Sequence, residues 1–411
     1  MTVYTAAPKV YLNGIEVTTS ALEGGKAVFG RSEPFTQPRP CYGILSFVTQ
    51  DGAPFNVALN DKLEVKLTNS SAVVVTVFTG YVANIVNSIR NYGGSGNLIR
   101  TDVTCVAGLS KAARALAGEN GFGVEHEGTR ILNILNEALT YNWSEYLPNT
   151  SWSSQDASLT WATIDPYVGT IDTPGQYELE AYIDGATAAL GLAQLAAQSG
   201  LGVLYEKGDG RIYYDDAKAR VNYVGQFGFI EIPESAILAR DLTAQQSIND
   251  VINDVKLNYN GGSIEIKDDA SINDYGLSAT LVETLLNNVT DATDQANLYL
   301  DLQKTPFKNF KSLDIELTND QITNSLRNNL IGLYVGMPVR IKDLPNAISA
   351  TDFDGFIEGY TWTFNRVLTS LNLTVSNLRY STTSQEWQDV FSGDLWNTID
   401  ATITWQEAWV V

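Results

Sequence analysis

Apolar and polar residues alternate along much of this chain, and one short alternating pattern occurs twice. Phe78-Thr-Gly80-Tyr-Val near the start has a counterpart in Phe353-Asp-Gly355-Phe-Ile near the end. Alternating runs flank both copies, at 61–67, 98–106, 338–342 and 371–376. A period of two buries one face of an antiparallel sheet, and a glycine within a strand marks a bend or bulge. The pattern predicts two related small antiparallel β-barrels, with Phe78, Gly80, Phe353 and Gly355 at matching structural positions.

Between the two copies the period changes to that of a helix. Residues 110–117 and 129–139 have helical spacing, the second with Thr129 as its N-cap. The Ala-rich run 186–198 ends at Ser199-Gly200, and its apolar residues surround most of its circumference. Such a helix is buried within a domain. We therefore expect a helix-containing α+β insertion that separates two β-barrels.

Turn residues indicate hairpins and, with them, the domain organisation. Asn13-Gly14, Gly208-Asp-Gly210 and Gly261-Gly262 each join two short alternating runs. A further helix is predicted from 290 to about 302, where Thr305-Pro306 stops it. The predicted regions are a first β-barrel domain at 1–108, the α+β insertion at 109–240, a second β-barrel domain with a helical insertion at 241–380, and a Trp-rich C-terminal strap at 381–411.

Tryptophans form a second internal repeat. Trp152-Ser-Ser-Gln-Asp-Ala-Ser-Leu-Thr-Trp161 matches Trp396-Asn-Thr-Ile-Asp-Ala-Thr-Ile-Thr-Trp405. Two interpretations stay open: each tryptophan closes a small core, or the cassettes strap onto a neighbouring subunit, because Trp is enriched at interface hot spots. The interface candidates are Trp152, Trp161, Trp387, Trp396, Trp405 and Trp409.

The charge balance disfavours some classes of binding partner. The chain of 411 residues has 47 acidic and 26 basic side chains, a formal net charge of -21. Tight nucleic-acid binding and anionic membrane surfaces are therefore disfavoured. Since the sequence has no signal-peptide pattern and no apolar run long enough to span a bilayer, we expect a soluble protein made in a cytosol. Cys41 and Cys105 are expected as buried free thiols, with one disulfide as the alternative.

Candidate chemistry is sparse. His126 is the only histidine, no nucleophile elbow accompanies it, and we expect an exposed loop residue without a catalytic role. Phosphate-binding and dinucleotide-binding glycine motifs are absent from the sequence. Calcium at Asp215-Asp216 or Asp268-Asp269 would lack a loop motif. We predict no enzymatic activity, no cofactor and no metal site.

The order of the motifs resembles that of the baseplate hub, or tail-associated, proteins at the tip of bacteriophage tails. The chain is most similar to minor tail proteins of phages that infect actinobacteria, over about residues 40–380. The motifs that carry the resemblance are Phe78-Thr-Gly80-Tyr-Val, Thr101-Asp-Val-Thr-Cys-Val-Ala107-Gly, Asp250-Val-Ile-Asn-Asp-Val-Lys-Leu257, Tyr275-Gly276, Gly336-Met-Pro-Val-Arg-Ile341 and Phe356-Ile-Glu-Gly-Tyr-Thr-Trp362.

The resemblance implies a structural virion protein at the tail tip, assembled in the bacterial host cytoplasm. It implies a homotrimer whose two barrels per chain alternate in a pseudo-sixfold ring and adapt the sixfold tail tube to a threefold tip. The implied partners are distal tail or tail-tube proteins, the tape measure protein and other minor tail proteins, with DNA only in transit and no stable membrane binding. Two alternatives stay open: a tail-tip cell-wall glycan hydrolase and a carbohydrate-binding host-recognition protein.

Overall fold

The computed structural model describes residues 7–17, 22–50, 53–91, 97–138, 170–238, 244–310, 313–346, 348–349, 352–365 and 368–380. Over these residues the chain is mainly β with some helices, as the alternating sequence predicts. No helix in this part of the chain is both long enough and apolar enough to cross a bilayer.

The strands follow the alternating runs. In chain order they are β1 (Lys9–Leu12), β2 (Ile15–Val17), β3 (Leu22–Gly30), β4 (Tyr42–Thr49), β5 (Lys62–Thr68), β6 (Val74–Asn91), β7 (Asn97–Val106), β8 (Leu116–Ala117), β9 (Glu125–His126), β10 (Glu178–Leu179), β11 (Thr187–Ala188), β12 (Val203–Glu206), β13 (Ile212–Asp215), β14 (Ile230–Pro233), β15 (Ala244–Gln245), β16 (Asp254–Tyr259), β17 (Gly262–Lys267), β18 (Ala279–Glu283), β19 (Asn309–Phe310), β20 (Leu313–Glu316), β21 (Pro338–Lys342), β22 (Phe353–Asn365) and β23 (Thr369–Asn377).

The helices lie mostly between the two copies of the repeat. They are α1 (Gly108–Ala112), α2 (Glu127–Ala138), α3 (Ala189–Ser199), α4 (Ala219–Phe227), α5 (Asp269–Tyr275), α6 (Val289–Gln303) and α7 (Asn324–Ile331). Helix α3 is buried along most of its length, as its apolar circumference predicts. Helix α6 ends at Gln303, just before the Thr305-Pro306 stop signal.

One sheet of twelve strands carries both copies of the repeat. Its order is β14-β21-β22-β3-β4-β7-β6-β5-β1-β2, with β23 beside β22 and β20 beside β23. All pairs are antiparallel except β14 with β21. A single hydrophobic core lies against this sheet and contains Phe78 and Val103 from the first copy together with Phe353 and Val375 from the second.

Two smaller cores lie beside the large sheet. One joins α1, α2 and α3 to the β12–β13 hairpin through buried residues such as Ile131, Ala193 and Leu204. The other joins α6 to the three-stranded sheet of β16, β17 and β18 through residues such as Leu257 and Tyr299. The predicted hairpins at Asn13-Gly14, Gly208-Gly210 and Gly261-Gly262 are all confirmed.

Three helix predictions are wrong in their bounds. Helix α2 begins at Glu127, not after Thr129, because residues 174–177 pack over its first turn. The Glu127 N–H donates to the Tyr177 carbonyl, and Thr129, the predicted cap, donates its own N–H to the Pro174 carbonyl. Helix α1 ends at Ala112, and Leu116–Ala117 instead pair with β11. The helix predicted from 186 begins at Ala189, because Thr187–Ala188 pair with β8. Tertiary contacts therefore override the local helical pattern at all three sites.

Candidate assembly site

The first copy of the repeat lies in the middle of a four-strand unit. Strand β6 pairs with β5 so that Gly80 lies opposite Leu63 and Phe78 opposite Val65. On its other side β6 pairs with β7, with Val82 opposite Cys105 and a shift of register between Val82 and Asn84. Strand β4 completes this first four-strand unit on the far side of β7.

The second copy has the same arrangement. Strand β22 pairs with β21 so that Gly355 lies opposite Val339 and Phe353 opposite Ile341. It pairs with β23 so that Ile357 lies opposite Val375, with a register shift between Ile357 and Gly359. Strand β20 lies on the far side of β23, as β4 does beside β7. The second four-strand unit thus matches the first in chain order, sheet order, register and bulge position.

Each motif packs its phenylalanine over its glycine. A Cβ atom placed on Gly80 would lie 2.7 Å from the Phe78 ring, and one on Gly355 would lie 2.9 Å from the Phe353 ring. Both rings are buried, with exposed fractions of 0% for Phe78 and 7% for Phe353. A side chain at Gly80 would therefore displace the ring beside it, and one at Gly355 would meet both the Phe353 ring and the backbone carbonyl oxygen of Ser376.

The two copies differ at the bulge position. In the first unit it is occupied by Ala83, which is exposed, and in the second by Glu358, which is buried. A Glu358 carboxylate oxygen lies 2.6 Å from Arg31 Nε, and another lies 2.8 Å from Arg220 Nη2. Ser376 donates its hydroxyl to the same carboxylate at 2.5 Å. The cluster therefore ties β22 to the end of β3 and to α4.

Two neighbouring cations set the ionisation of Glu358. Burial acts to raise the pKa of the Glu358 carboxyl, but the guanidinium groups of Arg220 and Arg31 outweigh it and lower the pKa to about 2. The carboxylate is thus ionised, and its charge is shared with two buried cations. Such a cluster stabilises only while all its members are present, because a partner left alone is a buried uncompensated charge.

A second buried carboxylate connects the insertion to the first unit. Glu206, at the end of β12, accepts hydrogen bonds from the backbone N–H groups of Cys41 and Leu109, both at 2.7 Å. Burial raises the pKa of Glu206 to about 7. Cys41 and Cys105 are buried free thiols, as expected. Glu206 therefore holds the start of β4 and the start of α1 against the insertion.

An open cleft lies between the second unit and the three-stranded sheet. Its volume is about 830 Å³, and its walls include the aromatic residues Phe35, Tyr299, Phe307 and Tyr380. Acidic residues also line it, at Glu33, Asp250, Glu283 and Glu358, and its lining includes no lysine or arginine. Among the described residues, the cleft thus combines aromatic side chains with oxygen acceptors.

The residues that the sequence suggested for chemistry do not lie together in one site. His126 lies half-buried in β9 opposite Glu178, so the expected exposed loop position is wrong. Asp215 is buried, and burial raises its pKa to about 7. Asp268 is the N-cap of α5 and accepts from the Ser271 N–H. Across the described ranges, no group of three or more His, Cys, Asp or Glu side chains could hold a metal ion.

The tryptophan candidates lie outside the described residues. This holds for Trp152, Trp161, Trp387, Trp396, Trp405 and Trp409. Their interface role stays a prediction. No sequence pattern pointed to Arg31, Arg220 or Glu206 as buried charges. For Glu358 the one available signal was a glutamate within the apolar run Phe356-Ile-Glu358-Gly.

The fold is similar to that of solved phage tail proteins. No protein-family model and no curated protein matches the chain. Among solved structures, the tail protein from Neisseria meningitidis MC58 has a TM-score of 0.59 at 11% identity, covering 92% of this chain and 98% of that one. The 43 kDa tail protein of prophage MuSo2 from Shewanella oneidensis has a TM-score of 0.54 at 11% identity, covering 92% and 99%. The resemblance expected from the sequence is confirmed for the fold.

Proposed function

We propose that this chain is a structural virion protein that forms the trimeric hub at the distal end of a phage tail. In this role it joins the sixfold tail tube to a threefold tip and lets DNA pass. The observation that supports the proposal most is the repeated four-strand unit, with equal register and an equal bulge in both copies. Two similar units per chain would give a trimer six similar positions, which a sixfold tube requires.

The charge of the chain fits transit of DNA rather than its retention. With a net charge of -21, most of the surface repels phosphate. Two like charges at 4 Å repel by about 1 kcal/mol even in water. We propose that the channel of the ring is neutral or acidic, and that tail-tube, tape measure and other minor tail proteins are the stable partners.

Native mass spectrometry of the purified chain tests the trimer directly. We expect a mass of three chains, and labelling of intact particles with an antibody to the chain should mark one end of the tail. A chain that is monomeric alone and in its parent particle would contradict the hub assignment. The mass should be measured at several salt concentrations, because salt screens the repulsion between acidic copies.

The aromatic and acidic cleft is the observation that favours the carbohydrate-binding alternative. Phe35 and Tyr380 lie in its walls together with Glu33 and Glu283. Binding of host cell-wall glycans by the wild-type chain, lost in Tyr380→Ala, would support a host-recognition role. Release of soluble sugar from host cell walls would instead support the hydrolase. We expect neither result from a structural hub.

A further inference from the structure

The outer half of β6 has a neighbour on one side only. Residues 84–91 pair with β7, from Asn84 opposite Thr104 to Asn91 opposite Asn97. On the other side β5 pairs only as far as Tyr81, and the last backbone contacts are those of Val82 with Asn60 and Asp61. Within the ranges that the structure describes, no strand lies along 84–91 on that side.

The second four-strand unit shows what occupies the equivalent position. Residues 359–365 of β22 follow the bulge as residues 84–90 of β6 do, and they pair with β3, from Gly359 opposite Gly30 to Asn365 opposite Gly24. The same backbone edge is therefore covered in one unit and open in the other. Strand β3 also pairs with β4, so it links the edge of the second unit to the outer side of the first.

The outer side of the second unit carries the matching element. Strand β20 is equivalent to β4, and beside it lies a short extended segment in which Ile237 is bridged to Ile315. The Leu238 N–H donates to the Asp314 carbonyl at 2.9 Å. Ile237 and Leu238 thus stand beside β20 as β3 stands beside β4. If two copies of the chain met, the open edge of β6 in one copy could pair beside Ile237 and Leu238 of the other.

The register identifies the backbone groups at the open edge. The Ala107 N–H donates to the Cys41 carbonyl, so odd-numbered residues of β7 bond to β4 and even-numbered ones to β6. Since Ser88 lies opposite Arg100, the even-numbered residues of β6 bond to β7. The residues whose N–H and C=O groups face the open side are Ile85, Asn87 and Ile89.

The edge carries little of the usual protection against pairing. Natural edge strands carry charges, prolines or bulges that prevent association. Residues 84–91 contain no proline and no acidic residue, and their single charge is that of Arg90. Val86 is 50% exposed and Ile89 is 69% exposed. In a chain with a charge of -21, this segment can meet a second copy without repulsion between carboxylates.

We propose that residues 84–91 add to the sheet of a second copy of this chain, beside Ile237 and Leu238 of that copy. The contact is head-to-tail, since it joins the first unit of one copy to the second unit of the next, and a head-to-tail contact builds a ring when its rotation closes. The inference rests on the proposed function and names the interface through which the ring forms.

Ile89→Pro tests the interface, with Ile89→Val as the matched control. Proline removes an N–H that faces the open side and leaves the bonds between β6 and β7 in place. We expect Ile89→Pro to weaken self-association in sedimentation velocity by about tenfold or more, a change of about 1.4 kcal/mol. Ile89→Val should stay within about twofold of the wild type. Circular dichroism of both variants monitors the fold.

Hydrogen exchange at single-residue resolution gives a second measurement that needs no variant. The amides of Ile85, Asn87 and Ile89 should exchange slowly in the assembled chain and rapidly in the dilute monomer. The Ser88 amide, which faces β7, should be protected in both. This measurement decides the question if Ile89→Pro does not fold.

Three other outcomes would overturn the inference, and they differ in what they imply for the proposed function. A trimer that persists in folded Ile89→Pro leaves the proposed function standing and removes this interface. A wild-type chain that never self-associates removes both. Protection of Ile85, Asn87 and Ile89 in the monomer, lost when residues 381–411 are deleted, would show that the chain covers this edge with its own C-terminal segment.

Discussion

The two four-strand units share one backbone plan and differ in what surrounds it. At the bulge, the first unit has the exposed Ala83 and the second has Glu358 between two buried arginines. Beyond the bulge, β3 covers the second unit, whereas residues 84–91 pair only with β7 among the described residues. The repeated sequence pattern therefore specifies the strand geometry. The residues around each copy decide whether its strand edge is covered by another strand of the same chain.

The largest effect is expected from removing the bulge carboxylate. Glu358→Ala leaves Arg31 and Arg220 buried without their anion, so the free energy of unfolding should fall by about 3–5 kcal/mol. Urea denaturation of the wild type and of Glu358→Ala measures the change in the free energy of unfolding.

Ala83→Glu is the matched control at the equivalent exposed position. Because its side chain can stay in solvent, we expect a change within about 0.5 kcal/mol. A loss in Glu358→Ala no larger than that in Ala83→Glu would show that the ion cluster does not stabilise the second unit.

Acid should act on the second unit through the same carboxylate. The pKa of Glu358 is lowered from 4.5 to about 2 in the folded protein. Its stabilisation is therefore complete above the unfolded pKa near 4.5 and is lost as the pH falls towards 2. At about 1.4 kcal/mol for each pKa unit, roughly 3 kcal/mol should disappear between pH 5 and pH 2.

The acid effect is checked by urea midpoints measured across that pH range. The Glu358→Ala variant should lose less stability on acidification than the wild type, because the group that gains a proton is absent. An identical dependence on pH in the two proteins would assign the acid sensitivity to other carboxyl groups.

The two motif glycines are expected to differ in what an added methyl group costs. A Cβ on Gly355 would collide with the Ser376 carbonyl oxygen, which belongs to the backbone of a central strand. A Cβ on Gly80 would meet the Phe78 ring at 2.7 Å and the Cys105 Cβ at 3.1 Å, which are side-chain atoms. We expect Gly355→Ala to cost about 3 kcal/mol and Gly80→Ala about 1 kcal/mol.

Thermal denaturation of the two alanine variants measures that difference. Gly123→Ala, at an exposed glycine with open space around its Cβ position, controls for the general cost of replacing a glycine whose φ is not positive. A larger loss at Gly80 than at Gly355 would mean that the first unit is packed more rigidly than the contacts of its glycine indicate.

Local patterns predicted the elements whose stabilising contacts are close in sequence. The hairpin at Asn13-Gly14 formed because both residues adopt the positive φ that a tight turn needs, 50° and 81°. Helix α3 and helix α6 formed where apolar spacing and stop signals agreed. The matching positions of Phe78 with Phe353 and of Gly80 with Gly355 followed from the repeated motif and the alternating runs that flank both copies, because period two fixes which residues face the core.

The sequence by itself thus determined the repeated strand order, the turns and the acidic surface. Only the tertiary structure decided that both units share one sheet and one core, that α2 begins at Glu127, and that Glu358 is enclosed by Arg31 and Arg220. Glu358 and Arg31 are 327 positions apart along the chain. Periodicity reports which face of an element is buried, and it carries no information about which distant charge lies opposite.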